Sequence, residues 1–73
     1  MNDPKTTIRI KVNGQERTVP EGCSISKLME LMGIPQSFTA IELAGKVVSQ
    51  SEFNSTVMKA GESVEIIRLV GGG

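Results

Sequence analysis

The chain has 73 residues, 38 % of them hydrophobic, and its 8 Lys and Arg balance 8 Asp and Glu. That is one domain, near the lower size limit for a core without disulfides or metals and too apolar for a disordered segment. Zero net charge and two separated Phe residues argue against a nucleic-acid partner, while a lone cysteine and no histidine exclude an internal disulfide, a Cys/His zinc site and a Ser-His-Asp or Cys-His device.

Residues 1–5 are polar, include Asp3-Pro4 and are expected to form a flexible arm. The stretch MNDPKTTIRI lacks the apolar core of a secretory signal. In TTIRIKV, Ile8, Ile10 and Val12 alternate with Arg9 and Lys11, the period of a half-buried strand. Asn13-Gly14 signals a two-residue type I′ turn, and QERTV returns as a second strand that Pro20-Glu21-Gly22 ends.

Ser24 is a suitable N-cap for a helix over 24–32. Ile25, Leu28, Met29 and Met32 share one face, Leu31 widens it, and Lys27 and Glu30 lie opposite. Gly33 fits a left-handed C-cap, and Pro35 prevents continuation. FTAIELAGKVVSQ reads as strand, turn at Ala44-Gly45, strand. A single helical turn is expected around Ser51–Asn54, and SVEIIRLV is the last strand, over 63–69.

In that last strand Val64 and Ile66 share one face, and Ile67 and Leu69 share the other. A sheet covered by one helix needs one apolar face. Either Ile67 and Leu69 form an exposed docking patch, or a bulge near Ile66-Ile67 turns both pairs inward. No stretch has the length of a membrane span, so neither a membrane nor a nucleic acid is an expected partner, and a cytoplasmic location is expected.

The order strand, strand, helix, strand, strand, strand predicts an α+β, β-grasp (ubiquitin-like) domain over 6–70. It is a mixed sheet of four to five strands covered by one main helix. Residues 71–73, three glycines, are expected to form a flexible tail. By itself such a tail is fraying or a segment made to be threaded.

IKVNGQERTVPEG, SISKLMELMGI, AIELAGKVVSQSEF and MKAGESVEIIRLVGGG, in that order, resemble the thiamin-pathway sulfur carriers, the ThiS family of ubiquitin-like proteins. Two turns depart from the family pattern: Ala44-Gly45 stands where Asn-Gly is usual, and Gly61-Glu62 where Gly-Asp is usual. The terminal Gly72-Gly73 is shared with the molybdopterin-synthase small subunits and with ubiquitin-like modifiers.

The resemblance implies that the chain is a protein co-substrate and not an enzyme, with no bound cofactor or metal. Gly73 would carry sulfur as a C-terminal thiocarboxylate after adenylation, and Gly71 and Gly72 would thread into the activating enzyme. Ile67 and Leu69 are the candidate docking residues. The implied partners are a ubiquitin-activating-type (ThiF-like) adenylating enzyme with ATP, a sulfur donor protein and a ThiG-like thiazole synthase. Alternatives are sulfur transfer to molybdopterin, protein modification through Gly73, and a binding module with an inert tail. Cys23 sits just before the helix, where a thiolate is favoured. With no histidine or second cysteine it reads as a spectator.

Overall fold

The computed structural model describes residues 6–69. In chain order the elements are β1 (Thr7–Val12), β2 (Gln15–Pro20), α1 (Ile25–Met32), β3 (Thr39–Leu43), β4 (Lys46–Val48), a 3-10 turn (Gln50–Glu52) and β5 (Ser63–Arg68). One five-stranded sheet runs β2-β1-β5-β3-β4. β1 and β5 are parallel at its centre, and the other pairs are antiparallel. This is the β-grasp arrangement: a mixed sheet with one main helix on one face. The expected arm at 1–5 and glycine tail at 71–73 lie outside the described residues.

Local chemistry sets the element ends. Asn13 (φ 51°) and Gly14 (φ 86°) occupy the two left-handed positions of the first hairpin. Ser24 Oγ accepts the amide N–H of Lys27 at 3.1 Å, capping the first turn of α1. Gly33 is left-handed at φ 71°, and its N–H donates to the Glu30 carbonyl.

The helix buries Ile25, Leu28 and Met29 against Ile10, Val12, Val19, Ile41, Val64 and Ile66. Phe53 and Met58 join this core from the irregular segment after β4. That segment is tied to the start of α1: Ile25 N–H donates to Thr56 O, Ser26 N–H to Phe53 O, and Met58 N–H to Cys23 O.

Leu31 departs from the sequence expectation. It is 49 % exposed and does not widen the buried face. A helix turns about 100° per residue, so Leu31 lies a quarter-turn off the stripe that Met32 shares with Leu28 and Met29. A helix of 8 residues lying on a sheet buries only the nearer stripe.

No bulge interrupts β5. Its register with β3 is continuous from Leu43↔Val64 to Thr39↔Arg68. Alternation therefore holds, with Val64 and Ile66 buried and Ile67 turned outward.

Candidate functional site

The exposed end of β5 carries the apolar surface that the helix does not cover. Ile67 is 45 % exposed and Leu69 52 % exposed. Both are odd-numbered positions, opposite in parity to the core residues Val64 and Ile66. Across the ladder Ala40 faces Ile67, and the Leu69 N–H donates to the Phe38 carbonyl at 2.7 Å. Phe38 is 72 % exposed and holds a left-handed φ of 55°. A bulky residue there is unusual and costs on the order of 1–3 kcal/mol.

On the same outer face Glu42 and Glu65 are direct cross-strand partners. Like charges placed opposite each other are unfavourable. The candidate surface thus has an apolar centre toward the end of β5 and an acidic border behind it.

Two shallow recesses lie away from this face. One of about 130 Å³ is lined by Val12, Asn13, Gln15, Glu16, Arg17 and Met32. The other, about 380 Å³, lies at the opposite end of the sheet between Ile8, Gly22, Val57 and Met58. The ionisable side chains lining them are Glu16 and Arg17 in the first and Glu21 and Lys59 in the second, and neither recess contains a cysteine or a hydroxyl side chain. Among the described residues no three Asp, Glu, Cys or His side chains gather as a metal site, and no helix is long and apolar enough to cross a membrane.

Cys23, read from the sequence as a spectator, sits where a helix N-terminus favours a thiolate, but its surroundings oppose that. The side chain is 3 % exposed. Burial pushes its thiol above the ordinary value of 9.0, against a smaller lowering by the Lys27 charge. Desolvation outweighs its place before the helix, so the neutral thiol is the resting form.

Gly71, Gly72 and Gly73 lie outside the described residues. Ile67 and Leu69 are brought together at the root of that segment. Sequence reading did not find Ala40, although its cross-strand parity places it there, or Phe38, whose left-handed backbone has no signature in its residue type.

The sequence profile of the ThiS family matches residues 9–73. The chain belongs to the ThiS family. By family it is a thiamine-related sulfur carrier, not a catalyst. The crystal structure of the thiamine biosynthesis protein ThiS from Geobacter metallireducens superposes with a TM-score of 0.78 at 30 % identity, covering 90 % of this chain and 100 % of that one. An NMR solution structure of a thiamine biosynthesis protein from the same organism gives 0.74 at 29 % identity, covering 90 % and 88 %.

An uncharacterized protein of Porphyra purpurea, ycf40, is 32 % identical over 66 residues, covering 90 % of this chain and 93 % of its own. The thiazole synthase of Paramagnetospirillum magneticum is 24 % identical over 66 residues. That match covers 90 % of this ThiS-family chain but spans only 20 % of the synthase.

Proposed function

We propose that the chain carries sulfur on the α-carboxylate of Gly73 and delivers it for thiazole synthesis. The observation that carries this reading is the family match, which continues through the triglycine segment to residue 73. A carboxylate is a poor electrophile because its charge is delocalised. In the proposed sequence a Gly73 carboxylate oxygen attacks the α-phosphorus of ATP, and pyrophosphate leaves. The carboxylate is then an acyl-adenylate. The terminal sulfur of a persulfide on a donor protein attacks the acyl carbon and expels AMP, giving an acyl disulfide. A second thiol attacks the donor's sulfur, forms a disulfide with it and releases Gly73 as a thiocarboxylate.

Gly71 and Gly72 lack a Cβ, which suits a narrow channel leading to a buried nucleotide. Ordering a three-residue segment costs roughly 3–6 kcal/mol of backbone entropy, so contacts elsewhere must offset it. Ile67 and Leu69, with Ala40 beside them, are the proposed docking face for a ThiF-like adenylating enzyme and in turn for a ThiG-like thiazole synthase. The thiazole synthase relative supports the second partner.

The test is reconstitution with an adenylating enzyme, ATP and a persulfide donor, read by intact mass. The expected result is a mass gain equal to replacing one oxygen by sulfur. Deleting Gly73 abolishes it with the melting temperature unchanged, and Cys23→Ser retains it. Full loading of a chain lacking Gly72 and Gly73 rejects the proposal. Stable attachment to lysines of other proteins favours a modifier, and sulfur delivered to a pterin precursor but not to a thiazole favours the molybdopterin route.

A further inference from the structure

β1 stops at Val12, and the chain turns back through Asn13 and Gly14. The last rung of the parallel ladder is therefore Val12↔Val64, followed by a bond from Asn13 N–H to the Val64 carbonyl at 2.9 Å. β5 continues to Arg68. On the side that β1 has vacated, the next peptide groups are those of Ile66. Asn13 Oδ1 accepts the Ile66 N–H at 2.7 Å. Asn13 Nδ2 donates to the Ile66 carbonyl at 3.3 Å. A carboxamide has the same donor and acceptor as a peptide group, so this side chain adds one more rung after the strand itself has ended.

Two demands meet at this position. The turn needs φ 51°, and the rung needs one donor and one acceptor on a short side chain. Glycine meets the first demand only. Ionised aspartate tolerates the backbone angle but can only accept. Asparagine meets both. From the other edge the Phe38 carbonyl holds the Leu69 N–H. The end of β5 is thus gripped on both sides, by two non-glycine residues in left-handed conformations.

We propose that Asn13 is a positioning residue for the carrier end of the chain. Its carboxamide fixes Ile66 on the side that β1 has vacated and thereby sets the line along which β5 runs through Ile67 and Arg68 to Leu69, ahead of Gly73 in sequence. The inference rests on the sulfur-carrier reading above. Asn13 acts through β5 and need not touch the nucleotide or the reacting carboxylate. Without the rung the docking residues remain, but the carboxylate arrives over a wider range of positions. The loss falls on turnover and not on encounter.

The test compares Asn13→Gly, which keeps the turn and removes the rung, with Asn13→Asp, which restores the acceptor for Ile66 N–H. Hydrogen exchange at the Ile66 amide is measured alongside steady-state adenylation of the full 73-residue chain by the adenylating enzyme with ATP. In Asn13→Gly the Ile66 amide is expected to exchange about tenfold faster, as for a lost hydrogen bond. Its kcat is expected to fall about tenfold with KM within about twofold, and Asn13→Asp lies between the two. Wild-type exchange at Ile66, or faster exchange with wild-type kcat, overturns the proposal. So does a rise in KM alone, which marks a damaged docking face. If Asn13→Gly does not fold, the same comparisons on Asn13→Asp decide. Wild-type chain that takes no adenylyl group brings down the carrier reading and this role with it, whereas wild-type loading with unaltered variants brings down this role alone.

Discussion

Ala44 holds a left-handed φ of 53° at the first position of the β3–β4 turn, followed by Gly45 at φ 85°. An L-residue with a Cβ meets a cost of about 1–2 kcal/mol there, which asparagine largely escapes through local hydrogen bonding. Ala44→Asn is expected to stabilise the domain by about 1 kcal/mol, raising the melting temperature by roughly 4–8 °C in a thermal scan. An unchanged or lower melting temperature would show that the strain is relieved elsewhere. Cys23 makes a second prediction at this scale. Its thiol is raised by burial above 9.0. The folded state therefore prefers the protonated form more than the unfolded state does. That contribution is complete below pH 9 and is lost as pH rises through the shifted value, because the unfolded chain then binds fewer protons. Denaturant titrations of wild type and Cys23→Ala from pH 7 to 10.5 should give a constant difference at first and then a wild-type decline that the variant lacks. Parallel curves across the range would refute it.

At the scale of elements, α1 is the one α-helix among the described residues, and Leu28 is fully buried in its stripe. Leu28→Ala is expected to cost about 2–5 kcal/mol, close to the whole stability of so small a domain. Loss of a cooperative transition in circular dichroism is the expected reading, and an unchanged midpoint would place the core elsewhere. The elements themselves were legible because their signals are local. Ile8, Ile10 and Val12 alternate, Ile25, Leu28 and Met29 recur at helical spacing, and Asn13-Gly14, Ser24 and Gly33 punctuate them. Parity also separated Ile67 and Leu69 from Val64 and Ile66, but whether a bulge would cancel it depended on pairing with β3, which is not local. The same limit hid the rung made by Asn13, whose partner Ile66 lies 53 positions away. The turn signal explained the residue fully, so nothing in the sequence asked for a second role. Leu31 failed for a different reason. Helical spacing gives the angle of a side chain, but the width of the surface it meets is set by the sheet.

For the molecule as a whole, the order β2-β1-β5-β3-β4 puts the first and last strands side by side in the middle. Both edges of the sheet are made from strands in the interior of the sequence. The proposed sulfur-bearing residue therefore lies five positions beyond the end of the middle strand of the sheet. β5 contributes Val64 and Ile66 to the core, and β1 and β3 have no common neighbour without it. A chain interrupted before Ser63 has no sheet to close. Closure of the sheet therefore depends on contacts between parts of the chain far apart in sequence, with β5 as the strand that joins the two hairpins. β5 thus acts as a keystone: a fault in this one strand opens the whole sheet at once, so the outward face of Ile67 is presented only by a chain whose core has already closed.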